Sequence, residues 1–440
     1  MVFLKESLTN FSGQIVLIVL GITTSVLTAR VLGPSGKGVL SVVLLLPTIL
    51  AQIGSISISN SNVYFLGKKK YTFNQIFWNS LLIAFIFGGI CIIFFFLFND
   101  LFRRLFINIP TNYLRIVVIS VPFGILIPYL FNLFLSMQKI VTYNVVKISQ
   151  PLVFILLFVL LSFLFHPDVS MAAISYSFSF LTTSVIGILL LRKKIIFKAT
   201  FSTKIFKDTL SFGFKGHLGS IADYLNRRLD IFIISTLLPF EEVGYYAIAV
   251  TITEMLWYIP KSIGSILFNK IALSPEQRES NNFTAIICRN TLFLLTILGL
   301  FLLLTNKIII ELFYGTAYLP SINALLILIP GIIISGIKGL LVAYVNGIGK
   351  PIISTISAFI GLGINLPLNF LLIPVIGISG AAVATTISYI ISSIYLLLFF
   401  KKLSNLPYKD IILINHNDII VYRKLFSVIR LKLLSLFKKI

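Results

Sequence analysis

The sequence is short of charged side chains, and of acidic ones above all. Of its 440 residues 11% are charged, with 14 Asp and Glu against 36 Lys and Arg, while 58% are hydrophobic. Soluble domains carry about a quarter of their residues as charges, so this composition excludes an ordinary soluble protein. The mean hydropathy of +1.02 indicates that lipid surrounds most of the chain, and no soluble domain fits between its apolar runs.

The residues that build catalytic and metal sites are also scarce. Cys91 and Cys288 both fall in apolar runs, where they are explained as small hydrophobic side chains rather than as a disulfide or metal ligands. The three histidines form no cluster with metal-ligand spacing, and no Ser-His-Asp constellation is visible. Segment 33–38 has the wrong spacing for a phosphate-binding loop. We therefore expect no cofactor, no metal, no ATP hydrolysis and no enzyme activity.

Apolar runs of about 20 residues, enough to cross the roughly 30 Å hydrocarbon layer, recur along the whole chain. They predict twelve transmembrane helices, at 11–29, 38–59, 76–98, 114–135, 148–165, 171–191, 213–237, 243–268, 284–304, 322–346, 352–373 and 378–400. Segment 11–29 is long enough to be a retained first span rather than a cleaved signal. Lys and Arg concentrate on the side of both termini, and the opposite turns at 166–170 and 238–242 have none. The positive-inside rule then predicts a multi-pass protein of the cell (cytoplasmic or inner) membrane with both termini in the cytoplasm.

The two halves of the chain repeat. Ala172, Ala173, Ser179 and Ser184 in the sixth span match Ala381, Ala382, Ser388 and Ser393 in the twelfth, at a constant offset. Six spans per half give both bundles the same orientation. We predict an all-α membrane protein of two parallel six-helix bundles around a central cavity. The N-terminal bundle would span 1–191, a cytoplasmic basic linker 192–212, the C-terminal bundle 213–400 and a cytoplasmic basic amphipathic tail 401–440.

Topology and lipid contact explain most of the net charge of +22. The linker mixes basic and apolar residues, and segment 419–440 has an apolar stripe at helical spacing with most basic residues off it. Both patterns predict segments that lie on the inner leaflet against anionic lipids. The basic residues therefore do not indicate nucleic-acid binding.

Charged residues inside the C-terminal bundle are not explained in this way. Each ionised group near the bilayer centre costs about 2.5 to 3.5 kcal/mol, so these groups should pair, line water or hold a substrate. The candidate substrate contacts are Asn226, Arg227, Arg228, Lys261 and Lys338, and the candidate ion-coupling residues are Asp223, Asp230 and Glu254. Together they predict a basic-leaning polar seam across three helices.

Internal pairing is the alternative explanation of these charges. On a regular helix Asp223, Arg227 and Asp230 share one face, and they are equally well explained as an ion-pair staple that fixes packing. Arg228 has no partner on its own helix, and Glu254 is either a proton or cation site or a salt-bridge partner. Lys215 and Arg289 lie within about a turn of the inner surface, and we expect them to extend to it.

Several short motifs follow one another in the order and spacing of a known family. They are Ala29 to Pro34 with Gly36 and Gly38, Asn62 to Gly67, Tyr224 to Asp230, Gly244 to Ala247 with Trp257 and Pro260, Leu328 to Gly331, and Ile373-Pro374 with Gly377, Gly380 to Ala382, Ala384 and Thr385. Over about residues 10 to 400 the chain resembles the polysaccharide flippases of the Wzx type. These belong to the multidrug/oligosaccharidyl-lipid/polysaccharide exporter (MOP) superfamily.

The resemblance implies two six-helix bundles around a cavity that opens alternately to each side. It implies translocation of an undecaprenyl-pyrophosphate-linked oligosaccharide repeat unit to the outer leaflet, coupled to an ion gradient, for polysaccharide (O-antigen) synthesis. Polysaccharide polymerase and glycosyltransferases are the protein partners that fit such a role. Spans one and two depart from the family, because they offer only neutral groups where its members often carry cavity charges.

Two other functions stay open. An ion-coupled multidrug exporter of the same fold would be expected to have a cavity dominated by carboxylates, whereas this seam leans basic. An integral-membrane glycosyltransferase or polymerase would need a carboxylate on an outer loop to act as base, and the first outer loop has none.

Overall fold

The computed structural model describes residues 2–196, 201–273, 276–415 and 418, and every regular element within them is helical. The first half contains α1 Val2–Gly54, α2 Ile58–Gly67, α3 Phe73–Leu97, α4 Asn99–Leu105, α5 Thr111–Val118, α6 Val121–Ser136, α7 Ile140–Leu164 and α8 Val169–Leu191. The second contains α9 Thr203–Asn226, α10 Leu229–Leu237, α11 Phe240–Glu254, α12 Tyr258–Leu273, α13 Gln277–Ile309, α14 Ser321–Gly347, α15 Pro351–Ile376, α16 Ile378–Ser404 and α17 Tyr408–Ile412.

These helices make the twelve passes that the sequence predicts. Helix α1 supplies two of them, because Gly33 has a φ of 66° and is followed by Pro34, so the chain reverses without a loop. Within the described residues, nine helical stretches are long and apolar enough to cross a membrane, with α1 counted once. The passes formed by α9 with α10 and by α11 with α12 are not among them, since these carry the charged residues.

The sequence repeat corresponds to equivalent packing faces. All eight matched residues, four on α8 and four on α16, are buried, because small side chains at an interface let helices approach closely. The chain boundaries of the four predicted regions stay a prediction. The tail segment 419–440 lies outside the described residues, as does the side chain of Lys215.

The two halves touch at the outer end, which we define as the end where α1 bends at Gly33. A Cβ atom on Gly38 would lie 1.8 Å from the carbonyl oxygen of Phe240, and one on Gly244 would lie 2.1 Å from that of Pro34. The backbones of α1 and α11 are therefore in direct contact, and any side chain at these two positions would separate them.

The predicted spans 11–29 and 38–59 leave Arg30 and Lys37 in a loop between them, whereas in the structure both residues belong to α1, on either side of its bend at Gly33. Arg30 donates hydrogen bonds to the carbonyl oxygens of Phe313 (2.7 Å) and Leu312 (2.5 Å) in a π-helical turn that follows α13. Lys37 donates to the hydroxyl oxygen of Thr28 at 2.8 Å. Arg30 thus adds hydrogen bonds between the two halves at the outer end.

At the opposite, inner end the halves meet through the first turns of α9. The carboxylate of Asp208 accepts hydrogen bonds from Lys70 (2.7 Å) and from the hydroxyl of Tyr71 (2.5 Å). The hydrogen bond from Lys70 lowers the pKa of Asp208. Further along α9, a ring nitrogen of His217 lies 2.9 Å from the carbonyl oxygen of Ile53. Side-chain contacts therefore join the halves at both ends.

Arg289 does not extend to the inner surface as its position predicts. Its side chain is 8% exposed and holds the carboxylate of Asp418 through two hydrogen bonds, at 2.6 and 2.9 Å. It also donates to the carbonyl oxygen of Asp410 at 2.9 Å. A buried guanidinium is stable only with such compensation, and here it fixes the segment that follows α16 onto α13.

The helix crossing at Gly38 gives a direct test of this packing. We expect Gly38→Ala to lower the stability of the purified protein by about 1 to 3 kcal/mol, the usual cost of overpacking, because the added methyl group meets backbone. The control is Gly89→Ala on α3, where a Cβ atom has nothing within 4 Å. Thermal unfolding in detergent measures both, and equal midpoints for the two variants would contradict the crossing.

Candidate functional site

Two helical passes of the second half are interrupted at the residues predicted to carry function. Helix α9 ends at Asn226, and Arg228 has φ −132° and ψ −19° before α10 begins at Leu229. Helix α11 ends at Glu254 and continues through a short 3₁₀ turn over Met255–Trp257 into α12. Pro260 explains the second break, because it cannot donate to the carbonyl four residues before it. The interruptions place charged side chains away from the regular helix faces.

Five of the predicted charged residues form three ion pairs around these breaks. Arg227 lies 3.2 Å from one carboxylate oxygen of Asp223, and Lys338 of α14 lies 3.2 Å from the other. Arg228 lies 3.0 Å from Glu254, a partner on a different helix. The predicted pair of Arg227 with Asp230 is wrong, because the break at Arg228 removes the helical register that it required.

These pairs retain accessible surface in the middle of the helical passes. The exposed fractions of the side chains are 28% for Arg227, 37% for Asp223, 29% for Arg228, 20% for Glu254 and 9% for Lys338. Ionised groups at this depth keep such surface only where water or a ligand reaches them. The pairing alternative therefore describes the contacts, but it does not account for the exposure.

Lys261 differs from the other predicted cations. It is exposed, it lies 5.7 Å from the centre of the Trp257 ring, and within the described residues it has no carboxylate partner. The guanidinium of Arg227 lies 5.9 Å from the same ring. Trp257 itself is held by a 2.7 Å hydrogen bond from its indole nitrogen to Ser335, so it is a fixed aromatic surface beside two cations.

Lys147 of α7 is a functional candidate that the sequence did not reveal. It lies close enough to Lys261 for the two ammonium groups to repel each other, and its ammonium nitrogen lies 5.5 Å from the centre of the Tyr143 ring. In the sequence Lys147 looks like one more basic residue near the inner end of its span. Only the packing of the two halves brings it to the charged cluster, which we define as Asp223, Arg227, Arg228, Glu254, Lys261, Lys338 and Lys147.

Cations outnumber carboxylates in the charged cluster. Its five basic side chains face two carboxylates, Asp223 and Glu254, so the ionised cluster carries a net charge of +3. Such an excess, on helices that cross a bilayer, favours an anionic ligand because every added negative charge removes repulsion. Guanidinium groups in particular match the geometry of phosphate oxygens.

Asp230 and Asn226 do not join the charged cluster. Asn226 is fully buried and accepts a hydrogen bond from Ser388 at 2.9 Å, so no surface of it reaches a substrate in this conformation. Asp230 is 1% exposed and accepts hydrogen bonds from Tyr246 (2.5 Å), Thr385 (3.3 Å) and the backbone of Ile231 (2.8 Å). A buried carboxylate with three donors is stabilised without a cationic side chain.

Two asparagines of α15 extend the surroundings of Asp230. Asn365 donates to the hydroxyl oxygen of Thr385 at 3.2 Å, and Asn369 donates to the side-chain oxygen of Asn365 at 2.8 Å. The side-chain oxygen of Asn369 is buried and has no hydrogen-bond partner among the described residues. We call Asp230, Asn365, Asn369 and Thr385 the oxygen cluster. Its signal in the sequence is two amide side chains one helical turn apart in an apolar span.

A sequence profile for polysaccharide biosynthesis proteins matches residues 3–268, more than half of the chain. The uncharacterized membrane protein MJ1068 of Methanocaldococcus jannaschii is 28% identical over 272 residues, which are 59% of this chain and 53% of that protein. The probable low-salt glycan biosynthesis flippase Agl15 of Haloferax volcanii is 24% identical over 180 residues, 40% of this chain and 38% of that protein. The chain thus spans about half the length of the first relative and less of the second.

Solved structures of membrane transporters share the fold. The lipid II flippase MurJ in an inward closed conformation superposes with a TM-score of 0.75 at 19% identity, over 91% of this chain and 90% of that one. An inward-facing multidrug resistance MATE family transporter gives 0.69 at 15% identity, over 91% and 98% of the two chains. A MOP superfamily transporter from Pyrococcus furiosus, described as having a binding pocket of reverse polarity, gives 0.67 at 16% identity, over 91% and 95%.

At these identities the structural likeness establishes the architecture alone. It confirms the prediction of an all-α membrane protein with two helical bundles. The profile match adds the family, because it extends over the whole first half and into α12 of the second. The chain belongs to the family of polysaccharide biosynthesis proteins.

Proposed function

We propose that this protein is a flippase for an oligosaccharide linked through pyrophosphate to undecaprenol, which it moves from the inner to the outer leaflet by alternating access. We place it in the cell membrane with both termini in the cytoplasm. The observation that supports this most is the net positive charge of the charged cluster, on helices that otherwise face lipid. A pyrophosphate headgroup is the part of such a substrate that needs cations in a medium of low dielectric constant. Anionic lipids at the inner surface, a polymerase and glycosyltransferases are the partners that we propose with it.

Among the predicted headgroup contacts Lys261 is the leading one. It has no carboxylate partner within the described residues, whereas Arg227, Arg228 and Lys338 each share one. Those three add to the positive potential of the cluster. When the substrate binds, each would release its carboxylate and bind a phosphate oxygen instead. The fixed Trp257 ring beside Lys261 offers an apolar face to a sugar or an isoprenoid unit.

The oxygen cluster supports an ion-coupling role for Asp230. One carboxylate, two amide side chains and a hydroxyl supply the hard oxygen ligands that sodium-like cations bind, whereas a proton would need only one acceptor. The unpartnered side-chain oxygen of Asn369 is one oxygen of this set that is free to bind a cation, and Asn365 would present its own oxygen after an amide rotation. We propose that Asp230 is the coupling residue, and that Asp223 and Glu254 serve as partners of cations instead.

A multidrug exporter of organic cations is the competing function, since MATE transporters share the fold. The excess of cations in the charged cluster disfavours it, because like charges repel at short range in a medium of low dielectric constant. Display of the surface glycan separates the two functions. Deletion of the gene should abolish display under our proposal and should instead raise sensitivity to cationic drugs under the alternative.

Substitution of Lys261 tests the proposed headgroup contact. Lys261→Ala should lower surface glycan display about tenfold or more, because a charged hydrogen bond contributes roughly 1.5 to 3 kcal/mol and 1.4 kcal/mol is a factor of ten. Lys261→Arg should keep most of the display. Lys270→Ala removes the same charge from the same helix, at an exposed position, and should behave as wild type. Loss of display in the Lys270 variant as well would refute a specific role for Lys261.

Two variants together separate function from packing at Arg228. Arg228→Ala should lower the amount of protein in the membrane, because it leaves the partly buried Glu254 without its partner. Adding Glu254→Gln should restore the protein level but leave display lost, if Arg228 also contributes to the substrate site. Immunoblots of membranes together with glycan staining measure both quantities. Full recovery of display in the double variant would assign Arg228 to packing alone.

Thermal unfolding tests the coupling role of Asp230. Sodium chloride should raise the thermal midpoint of the purified wild-type protein relative to choline chloride at equal ionic strength, since a ligand that binds only the folded state stabilises it. Asp230→Asn and Asn369→Leu should each abolish this difference. Asn346→Leu, on α14, is the control for loss of an amide and should retain it. A sodium effect that survives Asp230→Asn would remove the coupling role from the oxygen cluster.

A further inference from the structure

The second pass of the chain is interrupted near its inner end. Helix α1 ends at Gly54 and α2 begins at Ile58, so the short turn 55–57 separates two helices of one pass. Within this turn Ile56 and Ser57 have φ angles of 43° and 50°. Left-handed backbone is strained for residues other than glycine, above all for a β-branched one. Such strain persists only where the surrounding structure imposes it, so contacts from outside the turn must hold it.

His217 of α9, which belongs to the second half, supplies the main contact. In a continuous helix the carbonyl of Ile53 would accept from the amide of Ser57, four residues later, but no such bond forms between these two residues. Instead, Nε2 of His217 lies 2.9 Å from the Ile53 carbonyl oxygen, and Nδ1 lies 3.2 Å from the Ser57 hydroxyl oxygen. A carbonyl oxygen only accepts, so Nε2 donates, and in the neutral ring Nδ1 accepts from Ser57. One buried imidazole thus joins the two residues whose backbone hydrogen bond is missing.

Two further contacts fix the same turn. The hydroxyl of Tyr129, on α6 of the first half, donates to the carbonyl oxygen of Ser55 at 2.6 Å. On α9, a Cβ atom at Gly213 would lie 2.2 Å from the carbonyl oxygen of Ile56, so the backbone of α9 lies directly against the turn. Because His217 and Gly213 both come from the second half, the bent turn depends on contacts across the boundary between the halves.

We propose that residues 55–57 are a hinge, bent while the inner end is closed and continuous with α1 and α2 when it opens. When α9 withdraws, the Ile53 carbonyl loses the His217 ring, and the amide of Ser57 is the donor that a regular helix would supply in its place. Formation of that bond returns Ile56 and Ser57 to helical φ angles and releases their strain. The closed inner end therefore stores free energy that favours its own opening, and His217 offsets it.

The hinge rests on the proposed function, because alternating access requires the inner end to open. It deepens that function by naming the segment that changes conformation and the side chain that holds it closed. His217 is thus a positioning residue, since it acts through the backbone of the second pass and not on the substrate.

The distance between the halves at the inner end tests the hinge. Spin labels at Lys68→Cys, just after α2, and at Ile352→Cys, near the start of α15, occupy exposed positions in different halves. All variants share a full-length background with Cys91 and Cys288 replaced by alanine, in nanodiscs, and pulsed electron paramagnetic resonance gives the distance distribution. We expect His217→Ala to raise the fraction of molecules with the longer distance severalfold, because the bent turn loses its partner.

Substitutions at Ile56 should separate strain from packing. Ile56→Gly and Ile56→Ala remove the same contacts, but only glycine adopts the positive φ without strain, and alanine favours the helix. Ile56→Gly should therefore give a smaller long-distance fraction than Ile56→Ala. Gln138 has a φ of 57° at an exposed turn within the first half, so Gln138→Gly and Gln138→Ala are the matched pair and should not differ. His217→Gln keeps a donor for Ile53 and should stay closer to wild type than His217→Ala.

Hydrogen exchange distinguishes a hinge from a simple loss of packing. If His217→Ala only loosened the interface, the amides of segment 55–59 would exchange faster. Under the proposal these amides join a continuous helix, so they should exchange more slowly than in the wild type although the inner end is more open. Mass spectrometry of peptides that cover this segment measures the difference. Elution of each variant as a single species in size exclusion guards against misfolding.

Four results would overturn the hinge. They are equal distance distributions for His217→Ala and the wild type, an Ile56→Gly variant as open as Ile56→Ala, faster exchange of segment 55–59 in His217→Ala, and an equal glycine effect at Gln138. None of these bears on glycan display in the deletion strain, which decides the proposed function separately. A protein that restores display but fails these tests is a flippase that opens by another movement.

Discussion

The shortage of carboxylates in the middle of the second half is the constraint on which the site depends. A bilayer tolerates buried cations only when each is compensated or reached by water. Here Asp223 and Glu254 compensate three cations, and the described residues offer no further acid to Lys261 or Lys147. The structure therefore carries an unneutralised positive charge between its halves. Under the proposed function an anionic ligand completes this arrangement, and the same excess of cations would repel a cationic drug.

The breaks in two helical passes explain why these cationic side chains are accessible. On one continuous helix Arg227 would pair with acids of its own face, and Arg228 would point toward other helices. The break at Arg228 and the 3₁₀ turn before Pro260 release the side chains from that geometry. Arg228 then meets Glu254 of the neighbouring pass, and Asp230 turns into the packed interior, where hydroxyl and backbone donors hold it.

Much of this could be predicted from the sequence, and the rest could not for physical reasons. Spans, their number and the repeat of α8 in α16 follow from hydropathy and from small residues at fixed offsets, which are local signals. The predicted pairing of Arg227 with Asp230 was wrong because the helix breaks at Arg228. Neither Gly nor Pro lies at this break, so the local sequence does not indicate it. The gap predicted between spans 11–29 and 38–59 is helical in the structure, because Gly33 and Pro34 change the direction of the chain at one position. Lys147 was missed because its role arises only when two halves pack together.

The charged cluster and the oxygen cluster are tied to one short element. Helix α10 has Arg228 at its start, in contact with Glu254, and Asp230 in its first turn, in contact with Tyr246 and Thr385. Under the proposed coupling role, a cation bound at Asp230 would fix the start of α10 and with it the position of Arg228. An anion that binds among the cations acts on the same residues from the other side. Because coupling between two binding sites is reciprocal, a cation that changed the affinity for the anion through α10 would have its own affinity changed by the anion by the same factor. On the proposed function, α10 is therefore the segment that would link ion binding to substrate binding.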